Sequence, residues 1–227
     1  MKSFLIAEKV GMTRMFDAVG TAVGATVLKV LPATVLRLKT AEQDGYEAVQ
    51  VGAGTTKLGK NAGKAVAGQG GGTAYRVIKE FPKVSGDGAA ELARGQTIGL
   101  EQVKAGDVVN VTSTSKGKGF QGTVKRHNFS RGPKTHGSRN YRQPGSIGGT
   151  GAARVFPGQK MPGRMGAETV TTRNLAVVAV HEDEEAVLVR GAVPGPRGAL
   201  VVLRVTGQQA RGVALPKADD KPAKESK

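Results

Sequence analysis

Cysteine and tryptophan are both absent from this chain. Disulfides and thiolate metal sites are therefore excluded, while a reducing compartment is permitted but not required. Aromatic residues make up only 4%, so any core must rest on Val, Leu, Ile and Ala, with few large anchors. No apolar run approaches the roughly 20 residues of a membrane helix. The short apolar run within Met1–Arg14 lacks the longer core of a secretory signal. The expectation is a soluble, cytoplasmic protein with no membrane partner. The most informative shortage is local: no Asp or Glu occurs between Asp107 and Glu168.

That acid-free interval contains Lys116, Lys118, Lys125, Arg126, Arg131, Lys134, Arg139, Arg142, Arg154, Lys160 and Arg164. These eleven cations account for most of the formal net charge of +16. A solubilising surface would mix both signs. Apolar residues here are sparse and follow neither helical nor strand periodicity. Such a stretch buries too little surface to offset its own ordering entropy, so a polyanion outside the chain is the natural agent to order it. Glycines and prolines interrupt it throughout, which rules against a basic amphipathic helix lying on a membrane.

The 227 residues allow one or two domains. Phe4–Val10 reads as a first strand, broken at Gly11-Met12-Thr13, with a turn over Phe16–Gly20. Val23–Val30 reads as a strand ended by Pro32. Thr34–Lys39 alternates, with Val35 and Arg37 on one face and Leu36 and Leu38 on the other. Asp44-Gly45 signals a turn before a strand over Tyr46–Val51. Gly52–Thr73 is rich in Gly, Ala, Lys and Thr and reads as a flexible loop. Ala74–Phe81 reads as a strand, Gly86–Ala93 as a turn with a short helix, and Ile98–Leu100 and Val108–Thr112 as strands. Beyond the basic stretch come a strand over Thr169–Val180, an acidic turn at Glu182–Glu185, strands over Ala186–Arg190 and Leu200–Val205, and a turn at Val193-Pro194-Gly195 between the last two.

Short strands at this spacing predict a mainly β fold, a small antiparallel barrel or sheet. The expected division is a β domain from 1–112 and 168–207, with a loop-rich insertion at about 52–95. A long irregular basic loop at 113–167 projects from it, and a disordered tail follows at 208–227. An irregular insertion of that length inside a compact domain is usually functional.

Several motifs suggest other chemistry. Gly117–Gly122 matches G-x-G-x-x-G literally, but no acid follows until Glu168, and no amphipathic helix follows to complete a dinucleotide site. Gly54–Asn61 nearly matches a phosphate-binding loop, yet Asn61 stands where a Ser or Thr should hold Mg²⁺. It leaves a nucleotide-dependent enzyme as a rival reading, and a non-specific DNA-compacting protein as another. His127 and His136 lie among cations with no carboxylate or thiol to complete a metal site, which favours stacking or hydrogen bonding on RNA. His181, beside the acidic turn, reads as exposed. No nucleophile–base–acid set stands out. The expectation is no catalytic residue, no metal, no cofactor and no small-molecule substrate.

The basic stretch suits RNA better than duplex DNA. Its cations are spaced by glycines, which let backbone approach phosphate closely, with amides free to donate. Phe120, Phe129, Tyr141 and Phe156 stand among them, and arginines can both fork onto phosphate and stack on bases. A duplex reader would normally offer a recognition helix or ribbon. The candidate RNA-binding residues are Lys116, Lys118, Lys125, Arg126, His127, Arg131, Lys134, His136, Arg139, Tyr141, Arg142, Arg154, Lys160 and Arg164.

One combination of motifs is specific. Lys9-Val10-Gly11-Met12-Thr13-Arg14 is followed by Thr114-Ser115-Lys116-Gly117-Lys118-Gly119-Phe120 and Gly122-Thr123-Val124-Lys125-Arg126. Then come His136-Gly137, Pro144-Gly145-Ser146-Ile147-Gly148, Gly158-Gln159-Lys160-Met161 and Gly191-Ala192-Val193-Pro194-Gly195. In this order, over nearly the whole chain, they closely resemble the bacterial L-three family of large-subunit ribosomal proteins. The resemblance implies a β-barrel domain on the outer face of the large subunit. It also implies direct binding of 23S rRNA, a role early in subunit assembly and contacts with neighbouring large-subunit proteins. It implies that the central loop threads inward, its tip at Gly145, Ser146, Ile147, Gly148, Gly149, Thr150 and Gly151 lying near the peptidyl-transferase centre. Such a protein positions RNA and catalyses nothing itself. Two departures are visible. Asn61-Ala62-Gly63 stands where family members often carry Asn-Lys-Pro. The tip Gly148–Ala153 lacks the glutamine that many proteobacterial members methylate, so that modification is not carried over.

Overall fold

The computed structural model describes residues 4–16, 19–56, 64–82 and 92–209. It is mainly β. The strands are β1 (Phe4–Phe16), β2 (Ala22–Leu31), β3 (Ala33–Lys39), β4 (Ala48–Thr56), β5 (Ala74–Pro82) and β6 (Thr97–Ile98), followed by β7 (Asp107–Thr114), β8 (Phe120–Gln121), β9 (Gly163–Arg164), β10 (Thr169–His181), β11 (Ala186–Arg190) and β12 (Leu200–Gln209). Three short helices join them: α1 (Ala41–Asp44), α2 (Lys64–Gln69) and α3 (Thr123–His127). The chain forms two compact units, one from 1–114 with 170–227 and one from 115–169.

In the first unit, six strands form a closed barrel in the order β1-β12-β7-β10-β11-β2. β1 pairs antiparallel with both β12 and β2. Strands from the two ends of the chain thus share one sheet. A second sheet runs β5-β4-β3-β6. One continuous core holds Leu5, Ile6, Leu28, Val109, Val177, Val187 and Leu203 of the barrel together with Val35, Val51 and Phe81 of the second sheet. Each large aliphatic buried this fully contributes roughly 1.5–3 kcal/mol. Phe4 and Phe81 stack with ring centroids 3.7 Å apart, making the aromatic anchor that a core poor in aromatics otherwise lacks. The run Ala186–Val189 is buried throughout because both of its faces are covered. Val187 and Val189 join the main core, while Leu188 packs with Met15, Ala25 and Val178 in a smaller one.

The strand readings hold at Ala74–Phe81, Val108–Thr112, Thr169–Val180 and Ala186–Arg190, with small shifts at the ends. Others need correction. The first strand does not break at Gly11; β1 continues through a bulge between Lys9 and Gly11. There Arg197 donates from Nε to the Val10 carbonyl at 3.0 Å, and a methyl on Gly11 would lie 3.1 Å from its guanidinium. The glycine makes room for that side chain rather than ending the strand. β3 likewise has a register shift between Val35 and Arg37, so Val35 and Leu36 are both buried and Leu38 is exposed. Strict alternation fails at such a bulge.

The presumed loop from Gly52 begins instead as the second half of β4, and α2 lies within it. Gly52 is needed there because the Tyr75 ring lies over its backbone; a methyl would fall 2.6 Å from the ring. Tyr46 precedes β4, the short helix α1 precedes Gly45, and Gly45 takes the left-handed φ of 79° that closes it. Ile98–Leu100 is strand only as far as Ile98 and then enters a 3-10 turn. His181 is half-buried, not exposed, and its Nε2 lacks a hydrogen-bond partner among the described residues. Most of the turn and helix expected over Gly86–Ala93 lies outside the described residues, as does the tail from 210 onward.

On the second sheet, Lys39, Tyr46 and Glu80 form a polar cluster. Lys39 Nζ lies 2.9 Å from Glu80 Oε1, and the Tyr46 hydroxyl donates to Glu80 Oε2 at 2.7 Å. Hydrogen bonds from Lys39 and Tyr46 hold the Glu80 carboxyl below its ordinary value, and those to Tyr46 and Glu80 raise Lys39. A lowered carboxylate stabilises above its unfolded pKa, and that contribution is lost as pH falls through the folded value. A raised lysine stabilises below its unfolded pKa and loses that as pH rises through the folded one. Glu80→Gln should therefore slightly lower the unfolding temperature at neutral pH. The difference from wild type should close below about pH 4, as thermal melts across pH would show.

Candidate nucleic-acid interface

The second unit, 115–169, contains all fourteen candidate RNA-binding residues. Its ends are held side by side by backbone bonds: Ser115 N–H to the Glu168 carbonyl at 2.9 Å, Lys118 N–H to Met165 at 2.9 Å and Met165 N–H to Gly119 at 3.0 Å. β8 and β9 pair antiparallel, with Phe120 opposite Arg164 and Gln121 opposite Gly163. Gly166 has φ +73°, and a methyl there would sit 2.1 Å from the Lys116 carbonyl oxygen. The two chain segments can approach this closely only because position 166 has no side chain.

α3 follows from Gly122 and is one turn long. Asn128 ends it in the left-handed conformation, φ 58°. Lys125, Arg126 and His127 occupy its last turn, where positive charge complements the free carbonyls. Arg126 and His127 then turn inward. Arg126 Nη1 donates to the Met161 carbonyl at 2.8 Å, and His127 Nε2 lies 3.0 Å from the same oxygen. A carbonyl only accepts, so His127 carries its proton on Nε2 in this arrangement. Gly163 clears the space for Arg126; a methyl there would lie 2.6 Å from Nη1. β8, β9, α3 and Met161 thus make a small clasp at the root of the loop.

Beyond the clasp, self-contacts are few. Gly132 N–H bonds the Tyr141 carbonyl at 3.0 Å, and Ser146 Oγ donates to Gly148 at 2.9 Å. Lys116, Lys118, Lys125, Arg131, Lys134, His136, Arg139, Tyr141, Arg142, Arg154, Lys160 and Arg164 are all exposed, as is every residue of the tip from Gly145 to Gly151. Among the described residues, none of these cations pairs with a carboxylate. Arg126 and His127 are the exceptions to exposure, half-buried on Met161. Such a surface can hold phosphates without first breaking internal ion pairs, and no acid within it opposes their approach.

The literal G-x-G-x-x-G match belongs to this clasp. Gly119 turns the chain with φ +66° and Gly122 precedes α3, which is too short for a dinucleotide site. The near phosphate-loop match starts in β4 at Gly54–Thr56, and its residues 57–61 lie outside the described ones. No group of three or more His, Cys, Asp or Glu able to hold a metal occurs among the described residues.

Residues 87–187, which include the whole second unit, match the family described as Ribosomal protein L3. The large ribosomal subunit protein uL3 of Heliobacterium modesticaldum is 44% identical over 203 residues, covering 89% of this chain and 96% of that protein. This chain belongs to the ribosomal protein L3 family. Other L3 relatives agree. The large ribosomal subunit protein uL3 of Streptococcus mutans is 43% identical over 213 residues, 93% of this chain and all of that protein. That of Shouchella clausii is 44% identical over 204 residues, 90% and 98% respectively.

Two features of this L3-family chain emerge only from the structure. One is the clasp, which uses Arg126 and His127 to tie the loop's strands together. Its signal was the pair of glycines Gly163 and Gly166 close after Met161, but the partners lie 37 or more residues upstream. The other is the exposure of Phe120, named among the loop's aromatics but not among the candidate residues: at 76% it is the most exposed aromatic of the described chain.

Proposed function

We propose that this chain binds 23S rRNA directly through residues 113–167 and supports an early step of subunit assembly. It is a structural constituent of the large ribosomal subunit, as its family is, and not an enzyme. The observation that carries the finer reading is the row of exposed cations, none paired with a carboxylate among the described residues, on a loop with no acid from 108 to 167. Lys116, Lys118, Lys125, Arg131, Lys134, Arg139, Arg142, Arg154, Lys160 and Arg164 would meet phosphate, with His136 and Tyr141 beside bases or sugars. Arg126 and His127 would act mainly through the clasp. The tip from Gly145 to Gly151 would reach toward the peptidyl-transferase centre, and neighbouring large-subunit proteins would meet other surfaces of the chain.

The rival reading, a non-specific DNA-compacting protein, rests on the same charge and predicts the opposite selectivity. Filter binding of the full chain to a 23S rRNA transcript and to random duplex DNA of similar length separates them. At physiological salt the transcript should bind roughly 10³-fold more tightly. Equal affinity would overturn the rRNA assignment. The bound protein should also cosediment with large subunits in a sucrose gradient.

A further inference from the structure

From the geometry around Phe120 we infer that this ring is a stacking platform for an unpaired RNA base, with Arg164 beside it for the adjoining phosphate. The inference rests on the rRNA reading above and assigns a recognition mode to one place in it. Phe120 lies in β8, and the residue is 76% exposed. A phenyl ring left in water contributes nothing to the fold that holds it. Yet its position is fixed. The Lys118 and Met165 amides bond across the clasp in the step just before it, at 2.9 and 3.0 Å, and Gln121 after it pairs with Gly163. The Gln121 side chain donates to the Lys118 carbonyl. The left-handed Gly119 turns the chain immediately before it.

Phe120 and Arg164 are directly opposed in the two-stranded ribbon, so their side chains share one face. An exposed π-face next to an exposed guanidinium matches a single-stranded nucleotide: the base stacks and its phosphate pairs. Paired bases inside a helix expose no such face, so a bulge or loop is the form of RNA this site takes. Lys118, also exposed, stands two residues before the ring. An apolar pocket in a neighbouring protein could also take a phenyl ring, but it would then bring Lys118 and Arg164 against protein with no anion named to meet them.

The test uses the full chain, a 23S rRNA transcript, and the variants Phe120→Ala, Phe120→Leu and Phe120→Tyr, titrated from about 50 to 200 mM salt. Stacking predicts that Ala and Leu each weaken binding by about 10-fold at every salt concentration. The slope of log affinity against log salt should not change, since no cation is lost. Tyr should restore binding. If Leu binds like wild type, the site needs only apolar bulk and the stacking assignment is wrong. If Ala binds like wild type while Lys118→Ala weakens binding, the ring is idle and the rRNA reading survives without it. If wild-type binding itself lacks a steep salt dependence, both readings fall. Ultraviolet irradiation of the wild-type complex gives an answer that does not depend on a variant folding: the peptide containing Phe120 should carry a crosslinked nucleotide. Crosslinks confined to other peptides of the loop would overturn the assignment.

Discussion

Raising the salt from about 50 to 200 mM is expected to weaken binding of a 23S rRNA transcript by roughly 10³- to 10⁵-fold. The size follows from counting. Each phosphate neutralised releases condensed counterions, and six to ten such contacts give a drop of that order. The loop offers ten exposed candidate cations, Lys116, Lys118, Lys125, Arg131, Lys134, Arg139, Arg142, Arg154, Lys160 and Arg164. None is neutralised in advance by a carboxylate of the described chain, so few internal contacts are exchanged on binding. A deletion sharpens the test. Removing 130–160 and joining the ends with a short glycine linker takes away Arg131, Lys134, Arg139, Arg142, Arg154 and Lys160. The salt slope should fall by about five. Met161, Gly163 and Arg164 remain to close the clasp, and every member of the main core lies outside the deleted segment. Thermal unfolding of the first unit should therefore be nearly unchanged. A flat salt response of the intact chain would remove the electrostatic basis of the proposal.

Gly166→Val should open the clasp. Position 166 has φ +73°, where a β-branched residue is a genuine outlier. That strain alone costs about 1–3 kcal/mol. The added carbon would also press on the Lys116 carbonyl at 2.1 Å, a backbone atom with no rotamer to escape into. Taking ~2 kcal/mol as the minimum, exchange of the Lys118 and Met165 amides should speed up at least about 30-fold. Amides in β11 and β12, which belong to the other unit, should keep their protection. Gly149→Ala serves as the control, since a methyl there has open space around it and no left-handed backbone to strain. Unchanged exchange in Gly166→Val would mean that the close approach of 116 to 166 is not what holds the loop's root together.

Some of this protein could be read without coordinates because the deciding physics is local. The β-branched, apolar residues of Thr169–Val180 and the apolar run Ala186–Arg190 name their strands, since this enrichment is a property of neighbours a few residues apart. The acid-free interval after Asp107 marks a strongly cationic loop by composition alone, and the ordered motifs from Lys9 to Gly195 point to the family. The bulges were not legible in this way. The one after Lys9 is governed by Arg197, almost the whole chain away, and the one after Val35 by register against β4. The glycine-rich stretch from Gly52 reads as a loop until Tyr75 is seen lying across it. Arg126 reads in sequence as a phosphate ligand, and only the coordinates add that its guanidinium donates to the Met161 carbonyl at 2.8 Å.

Composition and order along the chain were enough to decide that a mainly β body carries a cationic loop suited to RNA, and that no disulfide and no thiolate site could exist. Tertiary structure alone decided which strands close into the barrel, that a second sheet shares its core, and which of the loop's cations face solvent. The reason is that charge and periodicity are properties of neighbours in sequence. Register, glycine clearance and the choice of hydrogen-bond acceptor depend instead on atoms brought together from distant parts of the chain.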